Sequence, residues 1–245
     1  DKDFNAVVSR SRNIANGMSK GVQFLMKKNK IDIIDGFGKV KTGKKVAVTS
    51  EDGKVKEYSA DHIIIATGAR SRELPNLPQD GEKVIGYRKA MTLPSQPKSM
   101  IVVGSGAIGV EFAHFYNAMG TKVTIVEYLP NLVPLEDKDV SKQFERSFKK
   151  AGIKVMTNAS VESVDTSGKG VKATVKTKKG EEILEADIVL SAVGIKTNIE
   201  NIGLEDVGII TDRDKILVND WYQTNIPGYY AIGDVVPGPA LAHVA

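Results

Sequence analysis

Residues 101–113 read IVVGSGAIGVEFA, an apolar run that breaks at glycines and continues into helix-forming residues. Gly104, Gly106 and Gly109 have the spacing Gly-x-Gly-x-x-Gly between a short predicted strand and a predicted helix. In this context the first glycine permits a tight turn, the second lets a pyrophosphate approach the backbone, and the third allows close helix-strand packing. The stretch predicts a dinucleotide-binding turn with the phosphates at the helix amino terminus. A glycine-rich turn without a ligand is the alternative.

A carboxylate ends the strand that follows this helix. Glu127 closes the segment VTIVE, residues 123–127, about 20 residues beyond the glycines. At this spacing a carboxylate accepts hydrogen bonds from the adenosine ribose hydroxyls and repels a 2′-phosphate. The following residues YLPN, 128–131, supply no cation to receive such a phosphate. The pattern favours NAD(H) over NADP(H), and an exposed glutamate at a strand end is the alternative.

The segments around the glycine motif alternate between strand and helix patterns, which is typical of a parallel α/β sheet. A strand from residue 100 is followed by a helix over 107–119, a strand over 121–127, a helix over 137–151 and a strand over 153–156. Antiparallel strands are predicted next, before a buried strand. Their ranges are 161–164, 171–177 and 182–184, and the buried strand covers 186–194.

The amino-terminal part has a different organisation. Apolar residues recur at three- and four-residue intervals over 3–29 and predict a helix. Strands are predicted at 31–40, 46–50 and 56–68, and the last of them ends in a buried segment. The Pro- and Gly-rich residues 70–98 are predicted to form a connection. The segments ADHIIIATG and ADIVLSAVG form a weak internal repeat. We interpret the repeat as two related nucleotide-binding folds.

Composition limits the classes of function. With 245 residues, of which 41% are hydrophobic, the chain can form hydrophobic cores. It has no run of about 18 apolar residues, and its amino terminus lacks the basic region and apolar stretch of a signal peptide. We therefore expect an intracellular, cytoplasmic protein that does not enter a membrane. The net charge of +4 comes from lysines scattered along the chain. No nucleic-acid partner is predicted from so dispersed a charge.

The absence of cysteine and the wide spacing of the histidines exclude several kinds of site. The sequence has no cysteine, which excludes disulfides, thiolate metal sites and a cysteine nucleophile within this chain. His62, His114 and His243 are far apart and lack the short spacings that supply two metal ligands from one element. No metal site is predicted.

The segments IIIATGA, VVGSGAIGVEFA, AVGIKTN and YYAIGDV, in this order, resemble the pyridine nucleotide-disulfide oxidoreductases, and the resemblance covers essentially the whole chain. It implies an α/β fold in which a Rossmann-like NAD-binding domain, residues 86–212, is inserted in a partial FAD-binding domain, residues 1–85 and 213–245. The member most resembled oxidises dihydrolipoamide with NAD, through FAD and a redox disulfide. A homodimer and 2-oxo acid dehydrogenase complexes are the partners implied for the full-length protein.

The resemblance also implies roles for individual residues. The NAD contacts of the family fall on Gly104, Gly106, Ile108, Gly109, Glu111, Glu127, Val161 and Gly194, with Glu111 near the nicotinamide. The FAD contacts fall on Gly38 at the adenine side, on Thr67, Gly68 and Ala69 near the flavin, on Asp234 at the ribityl chain, and on Ala240, Leu241, Ala242 and His243 beside the isoalloxazine. Glu111 taken alone is an ordinary first-turn helix residue.

The departures from the family pattern matter equally. The family places an FAD glycine motif and a redox cysteine pair ahead of these segments, and a dimerisation domain with a catalytic His-Glu pair after them; none of these occurs in this sequence. We expect a truncated form without catalytic residues that binds NAD, and binds FAD weakly or not at all. The alternatives are a stand-alone NAD-binding or redox-sensing module, and a fragment of a related flavoenzyme such as a mercuric reductase or an NADH oxidase.

Overall fold

A computed structural model describes residues 2–244, which form two compact units. Unit 1 consists of the chain up to Met18 together with Ser71–Gly194, and unit 2 of Ser19–Arg70 together with the chain from Ile195 onward. The division of the sequence into NAD-binding and FAD-binding domains, with boundaries after residues 85 and 212, stays a prediction.

Regular structure alternates along most of the chain. The helices are α1 (Phe4–Lys28), α2 (Tyr87–Ala90), α3 (Ala107–Met119), α4 (Lys138–Lys150) and α5 (Leu204–Val207), with a 3₁₀ turn at Gly233–Val235. The strands are β1 (Phe37–Lys41), β2 (Lys45–Thr49), β3 (Val55–Ser59), β4 (Ile63–Ile65), β5 (Ala69–Ser71), β6 (Val84–Ile85), β7 (Ser99–Val103), β8 (Lys122–Glu127), β9 (Lys154–Thr157), β10 (Ser160–Asp165), β11 (Val171–Thr177), β12 (Gly180–Ala186), β13 (Ile188–Ser191), β14 (Ile195–Thr197), β15 (Thr211–Asp212), β16 (Lys215–Ile216) and β17 (Tyr229–Ala231).

Unit 1 is built on a parallel sheet with the strand order β6-β13-β7-β8-β9. Side chains on successive strand residues point to opposite faces, so the apolar strands fill two cores. Met100 and Val102 of β7 pack on one face with α3 and α4, and Ile101 and Val103 pack on the other face with the antiparallel sheet β10-β11-β12. The predicted α/β class and its parallel sheet are confirmed.

Helix α3 covers the predicted residues, Ala107–Met119. Gly106 precedes it in an extended conformation, and Gly120 follows it with a φ of 105°, the left-handed region that favours glycine. Apolar residues inside the helix and glycines at both ends therefore determine its length. The next helix, α4, begins after Asp137, whose carboxylate accepts from the amides of Asp139 and Val140.

Unit 2 contains the antiparallel sheet β1-β2-β3 and the parallel pair β4 and β17. Its core comprises Val40, Ile63, Ile65, Ile202, Leu204, Ile209, Ile216, Tyr229, Ala231, Val235 and Val236. The Tyr229 hydroxyl donates to the Lys41 carbonyl at 2.5 Å and accepts from the Lys44 amide at 2.9 Å. This side chain thereby ties the β1-β2 hairpin to β17.

Three predictions from the sequence differ from the structure. The strand predicted at 31–40 begins only at Phe37, where pairing with β2 starts. The single strand predicted at 56–68 is divided into β3 and β4, and β4 is not buried throughout, since Ile64 is 62% exposed while its neighbours are buried. The connection predicted over 70–98 contributes the edge strand β6 and the fully buried Leu77. A two-residue edge strand is too short to show periodicity.

The predicted amino-terminal helix is confirmed as α1, but its apolar stripe is mostly exposed. Phe4 is buried, whereas Met18 is 70% exposed and Phe24 is 64% exposed. The spacing of apolar residues therefore indicated the helix correctly without indicating what covers it. No helix within residues 2–244 is long and apolar enough to cross a membrane.

Candidate functional site

The turn between β7 and α3 requires glycine at its first position. Gly104 has a φ of 98°, and a Cβ atom there would lie 2.4 Å from the Ala192 carbonyl oxygen. Its amide donates to the Val126 carbonyl at 2.9 Å. The chain therefore leaves the carboxyl end of β7 in a tight turn between β13 and β8, where parallel α/β sheets bind their ligands.

The other two motif glycines have opposite surroundings. A Cβ atom on Gly109 would lie 2.1 Å from the Gly104 carbonyl oxygen, so the helix can approach the turn only with glycine here. A Cβ atom on Gly106 would meet no atom of residues 2–244 within 4 Å apart from its chain neighbours. Gly106 is also the residue before α3, and no side chain in the described part of the chain caps this helix. Open space therefore lies beside first-turn amides that have no carbonyl partner within the helix.

Glu127 ends β8 beside this turn and is only 7% exposed. Its Oε2 accepts from the amide and the hydroxyl of Ser105, both at 2.7 Å. Its Oε1 accepts from the amide of Leu129, also at 2.7 Å. The buried carboxylate is thus held by three donors of the chain, as a buried charge requires.

The remaining residues assigned to NAD also lie in unit 1. Ile108 is half-buried and Glu111 is exposed on α3. Val161 is buried in the core on the β10 side of the sheet, so only its backbone is available, and its carbonyl accepts from Asn76. Gly194 follows β13 with a φ of 104°, and its carbonyl accepts from the Arg72 amide at 3.0 Å. Contact of these residues with NAD stays a prediction.

Ser105 is a site residue that reasoning from the sequence did not identify. It is fully buried, and besides its two bonds to Glu127 its carbonyl accepts from the Val133 amide at 3.1 Å. Ser105 occupies a position of the motif where any residue is accepted, so the spacing of the glycines carries no signal for it. Val133 has a φ of 42°, which is unusual for a β-branched residue.

The residues assigned to FAD lie in unit 2. The parallel pairing of β4 with β17 brings their carboxyl ends together, and the Ile232 amide donates to the Ile65 carbonyl at 3.1 Å. Thr67 and Gly68 follow β4, and Asp234 lies in the 3₁₀ turn after β17. Gly38 lies in β1, Ala69 in β5, and residues 240–243 are exposed beyond the 3₁₀ turn. FAD contact by these residues also stays a prediction.

Asn198 connects the segment after β4 to the segment after β14. Its side-chain amide donates to the Thr67 carbonyl at 3.0 Å, its backbone amide donates to the Gly68 carbonyl at 2.9 Å, and its carbonyl accepts from the Thr67 hydroxyl at 2.6 Å. These bonds fix the conformation of the Thr67-Gly68 turn. The sequence motif AVGIKTN contains Asn198 but did not indicate this contact.

A charged network lies beside Asn198. Arg70 contacts Glu200 at 2.7 Å, and Lys196 contacts the same carboxylate at 2.6 Å. The hydrogen bond from Arg70 and then the one from Lys196 hold the pKa of Glu200 far below its usual range. The network joins β5 to the segment after β14. In residues 2–244 there is no group of three or more histidine, aspartate or glutamate side chains placed to hold a metal ion.

The parallel sheet and its glycine turn at the carboxyl edge define the fold class of dinucleotide-binding α/β proteins. The sequence profile of the pyridine nucleotide-disulphide oxidoreductases matches residues 2–245. The chain belongs to this family of oxidoreductases, which confirms the resemblance that the motifs carried.

Several relatives cover nearly the whole chain. It is 43% identical to dihydrolipoyl dehydrogenase of Rhizobium etli, over 99% of this chain and 54% of that protein. It is 40% identical to mitochondrial dihydrolipoyl dehydrogenase 1 of Arabidopsis thaliana, over 99% of this chain and 48% of that protein. The chain spans about half the length of these relatives.

Solved structures agree with the family assignment. LpdA from Mycobacterium tuberculosis matches with a TM-score of 0.91 and 31% identity, over 100% of this chain and 54% of LpdA. The HOCl-induced flavoprotein disulfide reductase RclA from Escherichia coli matches with a TM-score of 0.86 and 25% identity, over 99% of this chain and 55% of RclA. The fold of this chain is therefore that of flavoprotein disulfide reductases.

Proposed function

We propose that unit 1 binds NAD(H), with the pyrophosphate against residues 104–109 and the amino terminus of α3. The observation that carries this proposal is the contrast among the motif glycines. Gly104 and Gly109 are glycines because backbone oxygens crowd them, whereas Gly106 faces open space. A glycine that no neighbour in the chain requires, next to free helix amides, is accounted for by an anionic ligand that approaches there.

Preference for NAD(H) over NADP(H) is supported by the charge around the ribose position. Glu127 is oriented by the turn that would hold the pyrophosphate. The residues after it, 128–131, contain no cation, and Tyr128 is 76% exposed. A 2′-phosphate would meet a carboxylate there without a compensating charge from residues 128–131, and like charges repel.

The proposed reaction of the whole protein is the oxidation of dihydrolipoamide by NAD⁺ through FAD and a redox disulfide, in the cytoplasm. Three relatives called dihydrolipoyl dehydrogenase support it, since they are 40–45% identical to this chain, whereas RclA is 25% identical. A homodimer and association with 2-oxo acid dehydrogenase complexes belong to the same proposal. The alternative is a related flavoprotein disulfide reductase, as the similarity to RclA allows.

The FAD residues fit a cofactor only in part. The ends of β4 and β17 bring Thr67, Gly68 and Asp234 to one edge of unit 2. The sequence contains one Gly-x-Gly-x-x-Gly motif, which lies in unit 1, so unit 2 has no such turn for the FAD pyrophosphate. FAD, when bound, supplies the electron relay between dithiol and nicotinamide. We expect weak or no FAD binding by this chain.

Calorimetric titration with NAD⁺ and with NADP⁺ tests the nucleotide proposal. The parent chain should bind NAD⁺ at least about tenfold more tightly, a difference of about 1.4 kcal/mol. Glu127→Ala should reduce this ratio by weakening NAD⁺ more than NADP⁺. Glu181→Ala, which removes an exposed carboxylate of β12 in the same unit, should leave the ratio unchanged. Equal affinities in the parent, or tighter NADP⁺, would contradict the proposal.

A further inference from the structure

Ser105 lies next to Gly106, which faces the proposed ligand, yet the Ser105 side chain faces away from solvent. The residue is 0% exposed, so its hydroxyl does not reach a nucleotide directly. The hydroxyl instead donates to Oε2 of Glu127 at 2.7 Å, and the amide of the same residue donates to the same oxygen at 2.7 Å. Ser105 thus makes two hydrogen bonds to the same carboxylate oxygen of Glu127.

The hydrogen bonds to Glu127 leave part of its carboxylate available to a ligand. A carboxylate offers about four lone-pair sites, two on each oxygen. The two bonds from Ser105 occupy Oε2, and the Leu129 amide occupies one site on Oε1. The remaining acceptor site is therefore on Oε1, and it has a fixed direction because Oε2 is held in the turn.

The loop after β8 supports the same residue from its other side. The Val133 amide donates to the Ser105 carbonyl at 3.1 Å, although Val133 then has a φ of 42°. A β-branched residue in the left-handed region is unfavourable, and such residues persist where the surrounding structure fixes them. The amide, the hydroxyl and the carbonyl of Ser105 are all engaged, which makes the turn rigid before any ligand arrives.

We propose that Ser105 is a positioning residue for the selection of NAD(H) over NADP(H). Its hydroxyl fixes the Glu127 carboxylate so that Oε1 accepts from a ribose hydroxyl, while the same orientation presents the charge to a 2′-phosphate. The inference rests on the proposed function, since it concerns how Glu127 discriminates between the two nucleotides. Ser105 acts only through Glu127 and not by contact with the ligand.

The test compares NAD⁺ and NADP⁺ affinities of Ser105→Ala by calorimetry. We expect NAD⁺ to bind up to about tenfold more weakly, the size of effect expected when the ribose hydroxyl loses its hydrogen bond to a Glu127 carboxylate that is no longer held in place. NADP⁺ should be affected less, so the ratio of the two affinities falls. If Ser105→Ala does not retain the melting transition of the parent, Ser105→Gly can be used in its place. This variant also removes the hydroxyl and keeps the backbone amide, and it should give the same shift in the affinity ratio.

Ser191→Ala is the matched control. Ser191 is also fully buried in unit 1, at the end of β13, but its hydroxyl has no hydrogen-bond partner among the described residues. Its removal should leave the affinity ratio at the parent value. A reduced ratio in this control, equal to that of Ser105→Ala, would overturn the inference.

A double-mutant cycle separates positioning from a general effect on the fold. In a Glu127→Ala background, Ser105→Ala should no longer change the ratio of NAD⁺ to NADP⁺ affinity. An undiminished effect in that background, or an unchanged ratio in a folded Ser105 variant, would refute the role of Ser105. Absence of NAD⁺ preference in the parent chain would instead refute the proposed function, so the two failures are distinguishable.

Discussion

Gly106 and Gly109 belong to one motif but make different demands on a substituted side chain. At Gly109 a Cβ atom would overlap the Gly104 carbonyl oxygen at 2.1 Å, and that oxygen belongs to a backbone turn fixed by its neighbours. At Gly106 the same atom would enter open space. The fold therefore requires glycine at position 109, whereas Gly106 is available for function.

Gly109→Ala should accordingly destabilise the protein while Gly106→Ala does not. Forcing a methyl group against backbone costs about 1–3 kcal/mol or more, since the helix has to move away from the turn. Thermal unfolding followed by circular dichroism measures the difference. We expect a melting temperature several degrees below the parent for Gly109→Ala. Identical melting curves for the two variants would show that α3 is not held against the turn as described.

The glycines and Glu127 could be predicted from the sequence, whereas Ser105 and Val133 could not. Glycines are identifiable because their spacing reflects backbone constraints that few other residues satisfy. Ser105 is recognised only through its distance to Glu127, which depends on how β7 and β8 align in the sheet. Contacts of this kind need the three-dimensional register and leave no local pattern.

At the level of elements, periodicity predicted long segments and missed short ones. Helix α3 was predicted over its observed residues because apolar spacing and flanking glycines agree. Strand β6 has two residues and was interpreted as part of a connection, since only pairing with β13 defines it. Strand β4 was expected to be buried, but within residues 2–244 it pairs only with β17, and it exposes Ile64.

The network joining β5 to the segment after β14 makes stability depend on pH. Arg70 and Lys196 lower the pKa of Glu200, so the folded state favours the ionised carboxylate. The resulting stabilisation is present above the unfolded-state pKa of about 4.3 and is lost as pH falls toward the lower folded-state pKa. The Glu200 side chain is 39% exposed, so its contribution should stay below about 1 kcal/mol.

Urea unfolding at a series of pH values tests this dependence. Glu200→Gln should lower the free energy of unfolding near neutral pH, and the difference from the parent should shrink as pH falls below about 4.3. Glu51→Gln, which neutralises an exposed turn glutamate of unit 2, should show no such trend. A difference that stays constant down to strongly acidic pH would assign the effect of Glu200→Gln to something other than ionisation.

At the level of the whole molecule, family membership and residue content point to different activities. The family transfers electrons between a pyridine nucleotide and a disulphide, and this chain has no cysteine. Thiol-disulfide exchange needs a thiolate to attack and a disulfide to accept electrons. The proposed binding of a nucleotide does not require a cysteine, whereas the turnover of a dithiol by this route does.

We expect no oxidation of dihydrolipoamide by the purified chain, with or without added FAD. NADH formation from NAD⁺ and dihydrolipoamide can be followed by absorbance, and a visible spectrum after gel filtration reports retained flavin. Turnover that persists through repurification and decreases in Gly106→Val would mean that the family's disulfide is dispensable here. Flavin retained without turnover would show that the FAD residues of unit 2 bind better than we expect.

Titration of the chain with NAD⁺, alongside Gly106→Val, tests most directly whether residues 104–109 hold the pyrophosphate. The parent should bind NAD⁺ at one saturable site, and the variant should show no measurable binding because the branched side chain occupies the space beside the helix amides. Both proteins should melt at similar temperatures, since residue 106 is exposed and, among residues 2–244, no atom beyond its chain neighbours lies within 4 Å of the added Cβ. A parent that does not bind NAD⁺, or a folded Gly106→Val that binds it with the parent's affinity, would contradict the assignment of this turn.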